Sequence, residues 1–268
     1  MKRSGFASVL TLAFVTNLEA QVPAGGEFAV PTSTHQLPGS PSIAVERDGD
    51  FILVWSSHND GDLSGIAAQR YDATGAPRGG EFRVNTYTTG IQSYLLGHDV
   101  DVDPAGNFVV VWSTDPEPGG SGRGNFGQRF DSLGDPVGTE FHVNTFTAYH
   151  QSQLRHGPRV AMAPTGSFVV VWDSAAQDGD NYGVFARRYD SAGSALGGEF
   201  QVASVTAGRQ LGSNIDMDAA GNFVIVWSGD AGLSYLEVFG QRFDASGNRL
   251  GGEFRVNTTT FGYQSYAG

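Results

Sequence analysis

A glutamine recurs at the same place in the stretches that connect the repeated strand signals of this chain. Side-chain amides at such positions would form a ring of donors and acceptors for sugar hydroxyls or for a peptide backbone. Alternatively, each amide satisfies backbone groups of its own loop, as a buried crossing of the chain requires. The five residues are Gln36, Gln92, Gln151, Gln210 and Gln264.

Tyrosines and one histidine accompany these glutamines in the connecting stretches. Aromatic side chains stack on sugar rings and also anchor protein partners. Together with the glutamines, these residues are the candidate ligand contacts. They are Tyr94, Tyr149, His150, Tyr182 and Tyr235.

Two connecting stretches carry closely spaced acids, Asp60 with Asp62 and Asp178 with Asp180. Calcium prefers several oxygen ligands at close range, so these four residues are the candidates for a calcium site. Neither pair has the DxDxDG spacing of a complete calcium loop, and the other repeats lack such pairs. The sequence predicts no other metal and no other cofactor.

Catalytic patterns are missing from the sequence. It has no cysteine and no GxSxG motif, so thiol and serine-triad chemistry is not expected. Asp99, Asp101 and Asp103 alternate along one strand signal, which predicts a solvated or channel-lining face. Because no unique residue breaks the repeat symmetry, no catalytic residue is predicted. Four arginines share one repeat position, where we expect them to pair with recurrent acids: Arg70, Arg129, Arg188 and Arg242.

An internal repeat predicts the elements that position these residues. Four times an apolar run begins with phenylalanine and ends in tryptophan, and the tryptophans lie 57, 60 and 55 residues apart. An aromatic-Asp pair and then a Glu-Phe pair follow each run, with glycine-containing turns between them. Each repeat therefore supplies four antiparallel strand signals. The array predicts an all-β chain that folds as a β-propeller with four full four-stranded blades.

The first part of the chain carries two further signals. Lys2 and Arg3 precede an apolar run and a polar stretch near Gln21, which predicts a signal peptide over residues 1–20 and a propeller region over residues 21–268. Residues 27–30 repeat the fourth-strand signal without three strands before it. We therefore expect this orphan outer strand to belong to an incomplete ring of five or more blades, whose partners include the remaining blades of the chain.

Charge and hydropathy exclude several classes of partner. The formal net charge of −12 and the lack of a basic cluster argue against nucleic acid. No apolar stretch approaches the roughly 20 residues that a membrane span requires. We expect a protein that is secreted, or that resides at the cell surface or in the periplasm.

The strings GNFVVVW, FGQRFDASGN and GGEFRVNT resemble the repeats of large secreted bacterial β-propeller proteins, some of them fused to adhesin-like or calcium-binding regions. The resemblance runs from about Gly25 to the end of the chain. Most such proteins have no assigned activity, so it implies a fold but no functional residue.

The main functional expectation is an exported, non-catalytic binding or surface-interaction module. Variable polar loops on one face of the propeller would contact an extracellular glycan or protein. Two alternatives stay open. The chain is a purely structural repeat of a large adhesin-like surface protein, or it is part of a propeller glycoside hydrolase whose catalytic residues lie in other blades.

Overall fold

The computed structural model describes residues 26–28, 30, 39–58, 61, 64–93, 97–120, 122–152, 156–230 and 236–258. All regular secondary structure in these ranges is β-strand, and they contain no helix that is long and apolar enough to cross a membrane. The predicted signal peptide lies outside the described residues.

Within the described ranges, seventeen strands form four antiparallel sheets, which we number blades 1 to 4 in chain order. Blade 1 contains β1 (Gly39–Val45), β2 (Phe51–Ser57), β3 (Gly65–Tyr71) and β4 (Phe82–Arg83). Blade 2 contains β5 (Ile91–Gln92), β6 (His98–Val102), β7 (Phe108–Asp115), β8 (Gly124–Phe130) and β9 (Pro136–His142). Blade 3 contains β10 (Arg159–Met162), β11 (Phe168–Ala175), β12 (Tyr182–Tyr189) and β13 (Phe200–Gln201). Blade 4 contains β14 (Gln210–Met217), β15 (Phe223–Gly229), β16 (Glu237–Phe243) and β17 (Phe254–Arg255).

Blade 2 has five strands where the sequence predicts four. Both β5 and β6 pair with β7, and together they take the place of the single strand β14 of blade 4. β14 itself shifts register between Leu211 and Asn214, so the first strand is irregular at this point in both blades. The predicted all-β propeller with four antiparallel blades is otherwise confirmed.

A three-ring contact repeats at each boundary between blades. The phenylalanine that begins the second strand stacks on the aromatic residue that ends the third strand, because the two are cross-strand neighbours. The centroids of these pairs lie 4.7 to 5.0 Å apart. An outer-strand phenylalanine of the preceding blade tilts against each pair, at 5.3 to 5.6 Å: Phe82 on Phe130, Phe141 on Tyr189 and Phe200 on Phe243.

The turn between the third and fourth strands has the same structure in every blade. Asp131 Oδ1 accepts the N–H groups of Leu133 and Asp135, both at 2.9 Å. The aspartates at the same position in the other blades make the same two contacts. Gly134 in this turn has a φ of 88°, where a side chain would be strained. The constancy of these turns in the sequence is therefore structural.

Three of the four recurrent arginines link neighbouring blades, and the groups to which they donate are not the acids that the sequence predicts. Arg129 donates to the backbone carbonyls of Ser191 at 2.5 Å and Ala192 at 2.6 Å, in a turn of blade 3. Arg70 and Arg188 donate to the equivalent turns of blades 2 and 4. Carbonyls of a tight turn lack partners of their own, so the guanidinium group satisfies them across the boundary.

We expect Arg129→Ala to lower the free energy of unfolding by about 1–2 kcal/mol, because two hydrogen bonds from a charged donor are lost. Arg242 occupies the same repeat position in blade 4, and its guanidinium donates to no described residue. Arg242→Ala should therefore cost less than about 0.5 kcal/mol. Urea denaturation measures both changes. Equal losses in the two variants would show that the contact to blade 3 is not the source of the effect.

Candidate functional site

The loops that differ between repeats lie on one face of the propeller. Loops between second and third strands bond to loops between blades, as in the N–H of Gln92 with the carbonyl of Ser64 at 3.0 Å and the N–H of Gln151 with the carbonyl of Arg123 at 2.9 Å. The hairpin turns lie at the other ends of the same strands. We call this surface the loop face; its described parts are residues 56–58, 86–93, 113–120, 145–152, 175–182 and 204–209.

The recurrent glutamines hold the loops of this face. Gln92, Gln151 and Gln210 are at most 2% exposed. Each side-chain amide donates to the backbone carbonyl three residues earlier in its own loop, at 2.8 to 3.2 Å. These contacts match the structural alternative, and side chains sealed in this way do not reach a ligand on the surface. Gln36 and Gln264 lie outside the described residues.

The boundary between blades 2 and 3 brings together three of the predicted contact residues. The N–H of Arg123 donates to Nδ1 of His150 at 3.3 Å. Tyr182, whose pKa is raised by burial, lies near the charge of the same arginine. Tyr149 is 61% exposed next to His150. The predicted contact residues Tyr94 and Tyr235 lie outside the described residues.

The acids that the sequence proposes for calcium bond to backbone groups. Asp178 Oδ1 accepts the N–H of Asp180 at 3.3 Å, and Asp180 Oδ2 accepts the N–H of Gly208 at 2.8 Å. No third acid joins them within the described residues. Asp60 and Asp62 lie outside those residues.

A different acidic group does occur in a hairpin turn of blade 1. Glu46, Asp48 and Asp50 bring carboxylate oxygens within 4.8 Å of one another. Asp50 already pairs with Arg78 and accepts the N–H of Ala73 at 2.9 Å. Burial, with Asp48 and Asp50 adding to it, raises the pKa of Glu46. The contacts of Asp50 with Arg78 and Ala73 give this acidic group a structural role in the turn.

The first strands of the blades pack side by side around the centre, β1 on β6, β6 on β10 and β10 on β14. At one position of these first strands, each blade has a different residue. The cross-strand partner of this position is the same in all four blades: the valine that precedes the tryptophan of the second strand. The prediction that no residue breaks the repeat symmetry is wrong at this point. The four residues are Ser42, Asp99, Arg159 and Asn214; two positions further along lie Ala44, Asp101, Ala161 and Asp216.

The two aspartates of β6 join blade 2 to blade 3. Asp99 Oδ2 accepts the N–H of Val160 at 3.0 Å, and Asp101 Oδ2 accepts the N–H of Met162 at 2.6 Å. Burial raises the pKa of Asp101, and the charge of Asp216 adds to this effect. Asp216 belongs to blade 4, two blades away from Asp101.

Arg159 is the cation of this region. It is half-buried, and its guanidinium makes no hydrogen bond to the described part of the chain. Burial raises the pKa of Asp99 to about 6, although the charge of Arg159 acts in the opposite direction. Arg159 also acts on the buried Asp173. We define the channel cluster as Asp99, Asp101, Arg159 and Asp216.

Asp173 has a structural environment. It is 1% exposed and accepts the N–H of Gly212 at 2.8 Å and the hydroxyl of Ser213 at 2.9 Å, which ties blade 3 to blade 4. Burial raises the pKa of Asp173 to about 6.

Sequence reasoning placed Asp99 and Asp101 on a channel-lining strand but missed Arg159. The signal was available, because aligning the first strands of the four repeats shows one position with four different residues.

Comparison with known proteins supports the fold. No protein-family profile and no curated protein matches the chain. Among solved structures, the α-L-arabinofuranosidase of Fusarium graminearum with arabinobiose is 14% identical, with a TM-score of 0.52 over 84% of this chain and 66% of that chain. The endo-arabinase of Bacteroides thetaiotaomicron is 13% identical, with a TM-score of 0.48 over 87% of this chain and 85% of that chain. The likeness to the arabinofuranosidase, with a TM-score above 0.5, supports the all-β propeller fold of this chain and nothing beyond the fold.

Proposed function

We propose that this protein binds a neutral extracellular glycan at the channel cluster. The observation that carries the proposal is the first-strand position at which the four blades have four different residues, two of them the charged Asp99 and Arg159. A binding site needs residues that converge from several blades and differ from one another. Asp99 and Arg159 meet this condition, because they come from neighbouring strands and are both half-buried.

The charges of the channel cluster favour a neutral ligand. Three carboxylates and one guanidinium leave the cluster negative when all are ionised, so an anionic sugar would be repelled. Hydroxyl groups of a neutral sugar donate to carboxylates, and the guanidinium donates to ring or hydroxyl oxygens. The exposed Tyr149 on the loop face offers an aromatic surface on which a longer chain could stack.

Calorimetric titration with arabino-oligosaccharides and other neutral oligosaccharides tests this proposal. We expect Asp99→Asn and Arg159→Gln each to weaken binding at least about tenfold, which corresponds to about 1.4 kcal/mol. Arg83→Gln is the control, because Arg83 is an exposed arginine of the outer strand β4. Binding that persists in both cluster variants but fails in Tyr149→Ala would place the ligand on the loop face instead.

Glycoside hydrolysis is a second candidate function, and it rests on a separate observation. Burial raises the pKa of Asp99 to about 6, so a substantial fraction of the Asp99 carboxyl groups is protonated in mildly acidic solution. It would give that proton to the leaving glycosidic oxygen, while a second carboxylate takes a proton from the attacking water. The solved structures of similar fold include an α-L-arabinofuranosidase of Fusarium graminearum.

Release of reducing sugar from arabinan separates hydrolysis from binding. Hydrolysis predicts turnover that Asp99→Asn abolishes, with a larger loss in the rate than in binding. Binding without turnover at any pH between about 4 and 7, the range in which such an acid titrates, would leave the non-catalytic function.

A further inference from the structure

Tyr149 on the loop face has a backbone conformation that favours glycine. Its φ is 62°, in the left-handed region, where a bulky side chain is strained. The residues at the same repeat position, two before the recurrent glutamine, are Gly90 between blades 1 and 2 and Gly208 between blades 3 and 4. Their φ values are 81° and 80°, which glycine adopts without steric cost. Tyrosine therefore departs from the repeat at a position where the backbone disfavours it.

The other two boundaries have no space for a side chain at this position. A Cβ atom on Gly90 would lie 2.6 Å from the carbonyl oxygen of Asp115, and a Cβ atom on Gly208 would collide with the carboxylate of Asp230. Tyr149 is 61% exposed. Of the three boundaries between the four blades, the one between blades 2 and 3 is thus the boundary whose loop presents a side chain here.

Contacts from both neighbouring blades fix the backbone at Tyr149 and His150. A Cβ atom on Gly122 of blade 2 would lie 2.5 Å from the carbonyl oxygen of Tyr149, so the two backbones approach closely. From blade 3, the N–H of Ala175 donates to the carbonyl of His150 at 3.0 Å, and Tyr182 is the cross-strand partner of Ala175. A fixed backbone therefore presents the exposed ring of Tyr149, which lowers the entropic cost of binding a ligand.

The polar groups beside this ring favour an uncharged ligand with oxygen acceptors. Nδ1 of His150 accepts the N–H of Arg123 at 3.3 Å, so the proton of the neutral imidazole lies on Nε2, which is then a donor. The charge of the Arg123 guanidinium is balanced, because its Nε donates to Asp115 at 3.2 Å. An aromatic face beside an N–H donor suits a sugar ring, which stacks on the aromatic face and accepts the hydrogen bond with a hydroxyl or ring oxygen.

We propose that Tyr149 and His150 form a second glycan-binding site, on the loop face at the boundary between blades 2 and 3 and separate from the channel cluster. This inference rests on the proposed function only for the class of ligand, a neutral sugar. The sugar stacks on the ring of Tyr149 and accepts a hydrogen bond from Nε2 of His150. Binding gives a function to a side chain whose backbone conformation costs the fold free energy.

NMR titration of the 15N-labelled full chain with arabinotriose, xylotriose and cellotriose tests the proposal. We expect at least one of these sugars to shift the backbone amide signals of Arg123, His150 and Ala175. Tyr149→Gly should weaken this binding at least about tenfold, because the stacking surface is lost. Tyr149→Phe is the matched control, since it keeps the ring and should change the affinity by less than about threefold. The proposal is overturned if none of the three sugars shifts these signals, or if Tyr149→Gly binds as the wild type does.

The melting temperature of Tyr149→Gly separates a binding role from a structural one. Glycine is the residue of the other two boundaries and adopts the left-handed conformation freely, so the melting temperature should not fall below that of the wild type. A fall of more than about 3 °C would show that the tyrosine holds the loop in place, and it would overturn the proposal.

Asp99→Asn separates this site from the channel cluster. The variant should keep the sugar-induced shifts of His150 and Ala175. Shifts confined to β6 and β10 that Asp99→Asn abolishes would support the proposed function and overturn this inference. Shifts at His150 without any in β6 or β10 would do the reverse. A proline-rich peptide that shifts the signals of this loop when none of the sugars does would assign the loop to a protein partner instead.

Discussion

Replacing Phe168 by alanine should lower the free energy of unfolding by about 3–5 kcal/mol, the usual cost of deleting a buried aromatic ring. Phe168 is 1% exposed, stacks on Tyr189 at 4.7 Å and lies 6.1 Å from Phe141 of the preceding blade. The substitution removes one ring of a three-ring contact. It therefore weakens both blade 3 and its boundary with blade 2. Guanidinium denaturation measures the loss.

Phe254→Ala is the matched control for this prediction. The same chemical change at a residue that is 39% exposed should cost less than about 1 kcal/mol, because fewer buried contacts are lost and no cavity forms. Similar losses for Phe168→Ala and Phe254→Ala would mean that the blade boundaries do not carry the stability of this fold.

Acid should selectively remove the stabilising contribution of His98. This residue is 2% exposed, and its Nε2 atom donates to the carbonyl of Val54 at 3.2 Å while Nδ1 bonds to the hydroxyl of Ser93. Burial lowers the pKa of His98 from 6.5 to about 4. The unfolded chain therefore binds a proton at higher pH than the folded chain does. The contribution is complete above about pH 6.5 and is lost as the pH falls toward 4.

The expected size of this loss is about 2 kcal/mol between pH 7 and pH 4.5, since each unit of pKa difference corresponds to about 1.4 kcal/mol. Urea denaturation of the wild type and His98→Gln at both pH values measures it, because the advantage of the wild type over the variant should shrink by that amount. An exposed histidine, His58, provides the control as His58→Gln. A pH-independent difference between the wild type and His98→Gln would contradict the prediction.

A buried aspartate changes the pH dependence of stability in the direction opposite to His98. Comparing the wild type with His98→Gln separates the contribution of His98 from that of the aspartate. Burial raises the pKa of Asp173 from 3.8 to about 6, so its folded form prefers the proton. Its contribution to stability is therefore greatest in acid and declines as the pH rises from about 4 to 6. This term is common to the wild type and His98→Gln, and it cancels in their difference.

Sequence periodicity was sufficient for the strands and turns. The Phe-to-Trp runs became the second strands, and the tryptophans at their ends are at most 3% exposed. Asp131 and its counterparts close the turns that the glycine pattern predicts. Such elements depend on contacts within about 20 residues, which one repeat contains in full. The same locality explains the recurrent glutamines, whose partners lie three residues away.

The candidate site could not be derived in the same way. Asp99 and Arg159 are 60 residues apart in the chain, and Asp101 and Asp216 are 115 residues apart. The link between Asp99 and Arg159 depends on the packing of the first strands β6 and β10 against each other. Reading the repeats for what they share also directs attention away from the position at which they differ.

The sequence by itself determined the repeat unit, its four strands and its turns, because period-2 apolar patterns and glycine turns act locally. Only the tertiary structure decided which residues meet across blades. It gave three of the recurrent arginines backbone carbonyls rather than acids as partners, buried Gln92, Gln151 and Gln210, and placed Asp99 next to the strand of Arg159. It also distinguished Val256, which is 48% exposed, from the buried valines at the same repeat position of the other blades, because burial depends on the packing around a residue and not on the residue itself.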